Sequence, residues 1–227
     1  MELLQTQIDL ELRQLSGRIS RTDDLLGLLR IASNFAELGQ KDRVERLLVE
    51  ICDHQIISEF EHRDRVWISR MLAQLWFSLG DQSKAMAEIS CIETRIASAS
   101  EERLKDEALW QLFLLWHQQA DVSEMTRVLS RFNGSFYRLK CQERLIKLLC
   151  AQGNFVAAQK HIAQIKEQGD RIFPLKWMCN AMLKHGKAEN AVWVVNDLLS
   201  SAAMRAVVLS SSLLHWQQVQ DGELADV

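Results

Sequence analysis

Proline is almost missing from this chain: Pro174 is the only one in 227 residues, and glycine occurs nine times. A linker-rich or disordered chain carries far more of both, so a folded protein is expected. Alternation of Val, Thr and Tyr is scarce, which argues against strands. There is no basic surplus either, since 27 Lys and Arg stand against 30 Asp and Glu, a formal net charge of −3. A sequence-independent nucleic-acid binder neutralises phosphates with such a surplus, so no nucleic-acid partner is expected. No run approaches the ~18 apolar residues of a membrane span, and no membrane partner is expected. The opening Met1-Glu2-Leu3-Leu4-Gln5 places an acid where a secretory leader carries cations, so a cytoplasmic location is expected.

The five cysteines, Cys52, Cys91, Cys141, Cys150 and Cys179, are odd in number and show no C-x-x-C spacing. That excludes neither thiol chemistry nor oxidation, but it points to no disulfide framework and no structural zinc. Each falls in an apolar helical segment and reads as a small reduced core residue. His54 and His62 with Glu59 and Glu61 match no recognised ligand spacing, and no glycine-rich phosphate loop exists. Ser210, Ser211 and Ser212 stand in no nucleophile elbow. The expectation is therefore no enzyme, no metal and no cofactor.

What is present is a helix-forming composition, rich in Leu, Ala, Gln, Glu, Arg and Lys. Leu4, Ile8 and Leu15 mark a first helix from Met1 to about Ser16. Helices then alternate with turns: one carries Leu25 to Phe35, its return holds Val44 to Ile51, and a long one spans about Glu61 to Leu79. Further helices are expected after an Asp81 cap, holding Ala85, Ile89 and Ile92, then from Ser98–Glu102 to Gln119, through Met125 and Leu129, at Ser135–Gln152 and at Phe155–Gln168. Gly169-Asp170 reads as a helix-ending glycine followed by an N-cap, with Pro174 in the first turn of the next helix. Two more helices are expected at Ala188–Leu199 and Ala202–Val219, before an acidic tail at Asp221–Val227.

The turns repeat. Aligned on Gly39, Gly80, Ala120, Gly153 and Gly186, they are 41, 40, 33 and 33 residues apart. Five residues after each anchor stand Val44, Ala85, Met125, Ala158 and Ala191; nine after stand Leu48, Ile89, Leu129, Ile162 and Val195. Twelve after stand Ile51, Ile92, Phe132, Ile165 and Leu198. Eight before stand Ile31, Leu72, Leu112, Leu145 and Met178, and four before stand Phe35, Trp76, Trp116, Leu149 and Met182. All 25 positions are apolar in a chain that is 48% apolar. Amphipathic helices alone do not enforce a shared phase across five turns. A hairpin that cannot bury its own apolar face, and stacks on its neighbours to do so, does.

This spacing resembles the tetratricopeptide repeat, over about Thr22 to Ser200. The usual aromatic eleven before the anchor is absent, with Leu28, Ser69, Leu109, Gln142 and Leu175 there, and so is the proline that ends each unit. The resemblance implies an all-α, right-handed α-solenoid of about five hairpins with extra N- and C-terminal helices. It implies a single domain over residues 1–227: an N-terminal helix at 1–21, repeats at 22–200, and a capping helix and tail at 201–227. It also implies a non-enzymatic protein–protein interaction module: an adaptor, scaffold or dedicated chaperone.

In that family the first helix of each pair lines a groove for a peptide or partner helix. By offset, the groove receives Trp67, Arg70, Gln74 and Phe77, then Trp110, Gln111, Leu114 and His117, then Lys140, Glu143, Arg144 and Lys147, then Phe173, Lys176, Asn180 and Lys184. Indoles anchor and cations attract a partner of acidic or carboxylate character. Some members clamp a C-terminal carboxylate with Lys, Asn, Asn, Lys and Arg; here Arg70, Gln74, Gln111, Lys140 and Arg144 occupy those places. The alternatives are a sensor for a small anionic ligand or signalling peptide, and an RNA-binding repeat protein that the net charge disfavours. Trp76 and Trp116 read as core, Trp67 and Trp110 as surface. The last helix carries Val207, Val208, Leu209, Leu213, Leu214 and Trp216, a face that would form a homodimer if it is not folded inward.

Overall fold

A computed structural model describes residues 22–53 and 61–220. The expected first helix, the connector at 54–60 and the acidic tail lie outside the described residues. Those residues form eleven α-helices and one 3₁₀ turn, with no strand among them. We number the helices α1 (Thr22–Glu37), α2 (Lys41–Asp53), α3 (His62–Leu79), α4 (Gln82–Ser98), α5 (Glu102–Gln118) and α6 (Val122–Leu129). They continue as α7 (Ser135–Ala151), α8 (Phe155–Ala163), α9 (Ile172–Lys184), α10 (Ala188–Leu198) and α11 (Ala202–Gln220).

The chain divides into two compact units, Met1–Leu115 and Trp116–Val227. In the first, hairpin α1–α2 packs on hairpin α3–α4, first helix against first helix. In the second, hairpin α7–α8 packs on hairpin α9–α10, and α11 packs on α9 as a further first helix would.

The five anchors adopt one conformation. Gly39, Gly80, Gly153 and Gly186 have φ of 70°, 87°, 73° and 68°, and Ala120 follows them at 53°. In every turn the residue after the anchor donates its N–H to the carbonyl four before the anchor: Gln40 to Phe35, Asp81 to Trp76, Asp121 to Trp116, Asn154 to Leu149 and Lys187 to Met182, at 2.9–3.1 Å. The anchor N–H in turn bonds the carbonyl three residues back. This is the Schellman closure, which satisfies the otherwise orphaned carbonyls of the helix end. The same residue then opens the return helix. Asp81, Asp121 and Asn154 accept from the N–H groups of Lys84, Glu124 and Ala157.

Of the 25 repeat positions, all but the half-buried Ile31 are buried. In three hairpins the residue five after the anchor is alanine, which lets the paired helices approach closely. Ala85 and Ala158 are wholly buried, and Cys179 Sγ reaches the Ala191 carbonyl at 4.0 Å. Trp76 and Trp116 are core, as expected.

Three local expectations are corrected. The helix starting at Phe155 stops at Ala163, not near Gln168, and Gly169 lies in a 3₁₀ turn without a left-handed φ. The Arg171 guanidinium holds this segment, donating to the nearby carbonyls of Ile165 (2.7 Å) and Ala163 (3.2 Å) and to that of Leu198 on α10 (3.0 Å). Those charge-assisted bonds satisfy loop carbonyls that the helix would otherwise need. Finally, Cys91 is exposed on α4, whereas Cys141, Cys150 and Cys179 are buried. Cys52 falls in α2, but its side chain is outside what is described.

An L-residue in the left-handed region costs about 1–2 kcal/mol. At Ala120 two closure bonds and the Asp121 cap, each worth about 1 kcal/mol, outweigh that cost. Relieving the strain is expected to stabilise the protein. Ala120→Gly should raise the unfolding free energy by up to about 1 kcal/mol, and Gly80→Ala should lower it by about as much. A Cβ at Gly80 meets nothing within 4 Å, so its cost is conformational alone. Urea unfolding measures both, and a destabilised Ala120→Gly would show that this turn is not strained.

Candidate functional site

The inner helices of each unit carry the residues picked out by offset. In the first unit, α3 presents Trp67, Arg70, Gln74 and Phe77, all half-buried. Trp67 and Phe77 lean on the core built from Leu25, Leu29, Leu48, Leu72 and their neighbours. The Arg70 guanidinium lies 5.8 Å from the Trp67 ring and donates to Gln74 Oε1 at 3.5 Å. Its Nε has no hydrogen-bond partner, and burial lowers its pKa. Among the described residues, no carboxylate pairs with it. On α5, Trp110 stacks parallel on Phe113 at 6.3 Å, half-buried beside Leu114. Gln111 holds a buried Oε1 without a partner. Glu107 Oε2 lies 3.7 Å from Arg63 Nε, so the starts of α3 and α5 are neighbours.

In the second unit the face is more open and more cationic. Lys140, Arg144 and Lys147 are exposed on α7, with Glu143 half-buried between them. Burial, then the nearby Asp170, raises the Glu143 carboxyl above its ordinary range. On α9, which packs against α7, Phe173 and Lys184 are exposed and Lys176 and Asn180 half-buried. Two lysines are held over exposed rings: Lys140 Nζ lies 4.2 Å from the Phe136 centroid and Lys176 Nζ 5.6 Å from that of Phe173. Phe136 is 63% and Phe173 61% exposed. Such stacks are worth only about 0.5–1 kcal/mol each at a surface, so they orient the ammonium groups without neutralising them. Among the described residues, no carboxylate pairs with Lys140, Lys147 or Lys176.

Between α9 and α11 lies a cleft of ≈ 400 Å³, lined by Asn180, Leu183, Lys184, His215, Trp216 and Val219 among others. The Asn180 Oδ1 there is buried without a partner. His117 is half-buried at the end of α5; burial, then the charge of Arg144, holds its imidazole below the ordinary 6.5. Of the five clamp candidates, Arg70, Gln74 and Gln111 stand in the first unit, and Lys140 and Arg144 in the second.

Two features escaped reading by offset. One is Phe136, which lies outside the repeat positions yet carries Lys140. The other is charge segregation. Residues 116–220 contain thirteen Lys and Arg against seven Asp and Glu, while residues 22–115 contain eleven against seventeen. The whole-chain charge of −3 averages over this. Summing charge over separate blocks reveals it from the sequence alone.

Compared with known proteins, the chain matches no protein-family model and no curated protein sequence. Its structure does resemble the crystal structure of nearly identical TPR-like repeats of a putative kinesin light chain from Podosopora anserina. That likeness has a TM-score of 0.50 over 83% of this chain and 98% of the other, at 14% identity. The fold is thus an all-α, TPR-like helical repeat. No helix among the described residues is long and apolar enough to cross a membrane. No group of three or more His, Cys, Asp or Glu among them could hold a metal ion.

Burial lowers the imidazole pKa values of His62 and His161 as well as His117, with Arg95 adding at His62. A group whose folded pKa is depressed binds its proton more readily when unfolded. Stability is then full above the unfolded value near 6.5 and is lost as pH falls through the folded values. The melting temperature is expected to drop between pH 7 and 5, and less so in His161→Gln. A flat profile, or wild-type and variant profiles that coincide, would show that His161 does not titrate this way.

Proposed function

We propose that this protein is a non-enzymatic interaction module, an adaptor, scaffold or dedicated chaperone. In this reading it docks an acidic peptide segment or partner helix along the inner helices. The observation that carries it is the cationic face of the second unit, where Lys140 and Lys176 are propped over exposed phenylalanines and neither is closed into an ion pair. Unsatisfied ammonium groups beside apolar rings suit a ligand that alternates carboxylates with apolar side chains. Arg144, Lys147, Asn180 and Lys184 extend that face along α7 and α9. In the first unit Trp67, Arg70, Gln74, Phe77, Trp110 and Gln111 offer a second, more apolar contact area. His117, near Arg144, belongs with the groove residues of the second unit.

A second reading, a sensor for a small anionic ligand, draws on the ≈ 400 Å³ cleft with Lys184, His215 and the unpartnered Asn180 Oδ1. A small ligand would raise the melting temperature by itself, whereas a docking face responds to peptide.

Binding of a panel of acidic, apolar-containing peptides by fluorescence anisotropy tests the leading reading. Lys140→Glu with Lys176→Glu is expected to weaken the tightest peptide at least about tenfold, and binding should fall with added salt. Affinity that survives both substitutions would remove this face as the site.

A further inference from the structure

The cleft of ≈ 400 Å³ in the second unit contains a polar group that no described residue satisfies. Helices α9 and α11 pack side by side, and the last turns of both form its walls: Asn180, Leu183 and Lys184 from α9, and Trp216, Val219 and Gln220 from α11. The Asn180 Oδ1 is buried and accepts no hydrogen bond there, so the site calls for an N–H donor. Its apolar wall is half open, with Trp216 38% exposed and Leu183 and Val219 half-buried. Lys184 adds an exposed cation. Lys147 on the packed helix α7 stands six before its anchor, as Asn180 does before its own, and brings a second cation to that level. The cleft therefore suits an extended segment that combines backbone N–H groups, an apolar side chain and carboxylates.

The residues that follow Gln220 have all three. They read Asp221-Gly222-Glu223-Leu224-Ala225-Asp226-Val227, three carboxylates interleaved with Leu224 and Val227, and no cation. Gln220 is itself part of the cleft wall, so this segment starts at the mouth of the cleft. Gly222 is the residue type that lets a chain leaving a helix turn back. Measured from Gln220, Glu223 has a reach of about 10 Å and Asp226 of about 20 Å. The second reach exceeds the ~12 Å of α9 between Lys184 and Lys176.

We propose that Asp221–Val227 folds back into this cleft. A backbone N–H donates to Asn180 Oδ1, Leu224 packs against Trp216 and Leu183, and Glu223 and Asp226 face Lys184 and Lys176. Charge complementarity selects the segment, and the tether keeps it near, at about millimolar effective concentration. An intrinsic dissociation constant of about 0.1 mM then keeps the cleft about nine-tenths filled. A docked segment excludes a free small anion from the same cleft. It also covers the Lys184 end of the cationic face, so an incoming acidic peptide has to displace it. Only that last step rests on the docking reading.

Nuclear magnetic resonance of the full chain tests the proposal without any added ligand. In the wild type, the heteronuclear 15N Overhauser effect of residues 223–226 is expected to match that of α11, with cross-peaks from the Leu224 methyls to the Trp216 ring. Lys184→Glu is expected to abolish both with unchanged helical circular dichroism, and Lys160→Glu, an exposed lysine on α8, to leave both intact. A segment already mobile in the wild type, or one unmoved by Lys184→Glu, would overturn the proposal. A fluorescein-labelled peptide of residues 221–227 is expected to bind the triple variant Asp221→Asn, Glu223→Gln, Asp226→Asn about tenfold more tightly than the wild type, because its cleft is vacant. Equal affinity would overturn the proposal as well. An ordered segment in a protein that binds no acidic peptide would remove the docking reading alone; a mobile segment in one that does bind would remove this inference alone.

Discussion

Everything regular in this molecule depends on one hydrogen bond made five times, from the residue after each turn anchor to the carbonyl four residues before the anchor. The bond fixes where the first helix ends, because it claims a carbonyl that would otherwise face solvent unpaired. It requires a left-handed residue between donor and acceptor, which is why glycine stands at four of the anchors. It also fixes the start of the return helix, since the donor residue is the next N-cap. Phase follows from that. Once both helices of a hairpin are clocked from the same bond, the positions at −8, −4, +5, +9 and +12 must point the same way in every hairpin. They become the buried set.

Function then falls to what the clock leaves outside. The inner-helix positions at −13, −10, −9, −6 and −2 of α7 and α9 are free of packing duty, and there the second unit gathers cations and exposed rings. Charge segregation makes the two units different surfaces built on one plan. The first is acidic, with its inner aromatics half-sunk into the core; the second is basic, with its aromatics standing in solvent under lysines. The stacks are too weak to matter for stability. Their effect is to hold the Lys140 and Lys176 ammonium groups over exposed rings.

A repeat buries its apolar stripe against the next, and among the described residues no return helix covers α11. Val192 and Trp193 on α10 and Val207 and Leu214 on α11 are exposed because no described helix covers them. The cysteines make a related point. Burial drives the Cys150 and Cys179 thiols up to about 12, so they are inert packing groups, whereas Cys91 takes the same residue type to the outer side of α4.

The hairpins, the turn anchors, and the core tryptophans Trp76 and Trp116 were determined by the sequence alone. Each rests on contacts within a few residues of the chain, where spacing and glycine placement carry the information. The early end of α8 was decided only in three dimensions, because Arg171 reaches carbonyls on α10 as well as its own loop. So was the contrast between a half-buried Trp67 and an exposed Phe173, which depends on how far a neighbouring core extends beneath each ring. The exposure of Cys91 belongs with these, since helical periodicity gives a residue's direction but not whether anything lies there to cover it. Local hydrogen bonds repeat and are therefore legible in one dimension. Long-range satisfaction of polar groups, and the cover over each apolar side chain, depend on which helices the fold brings alongside.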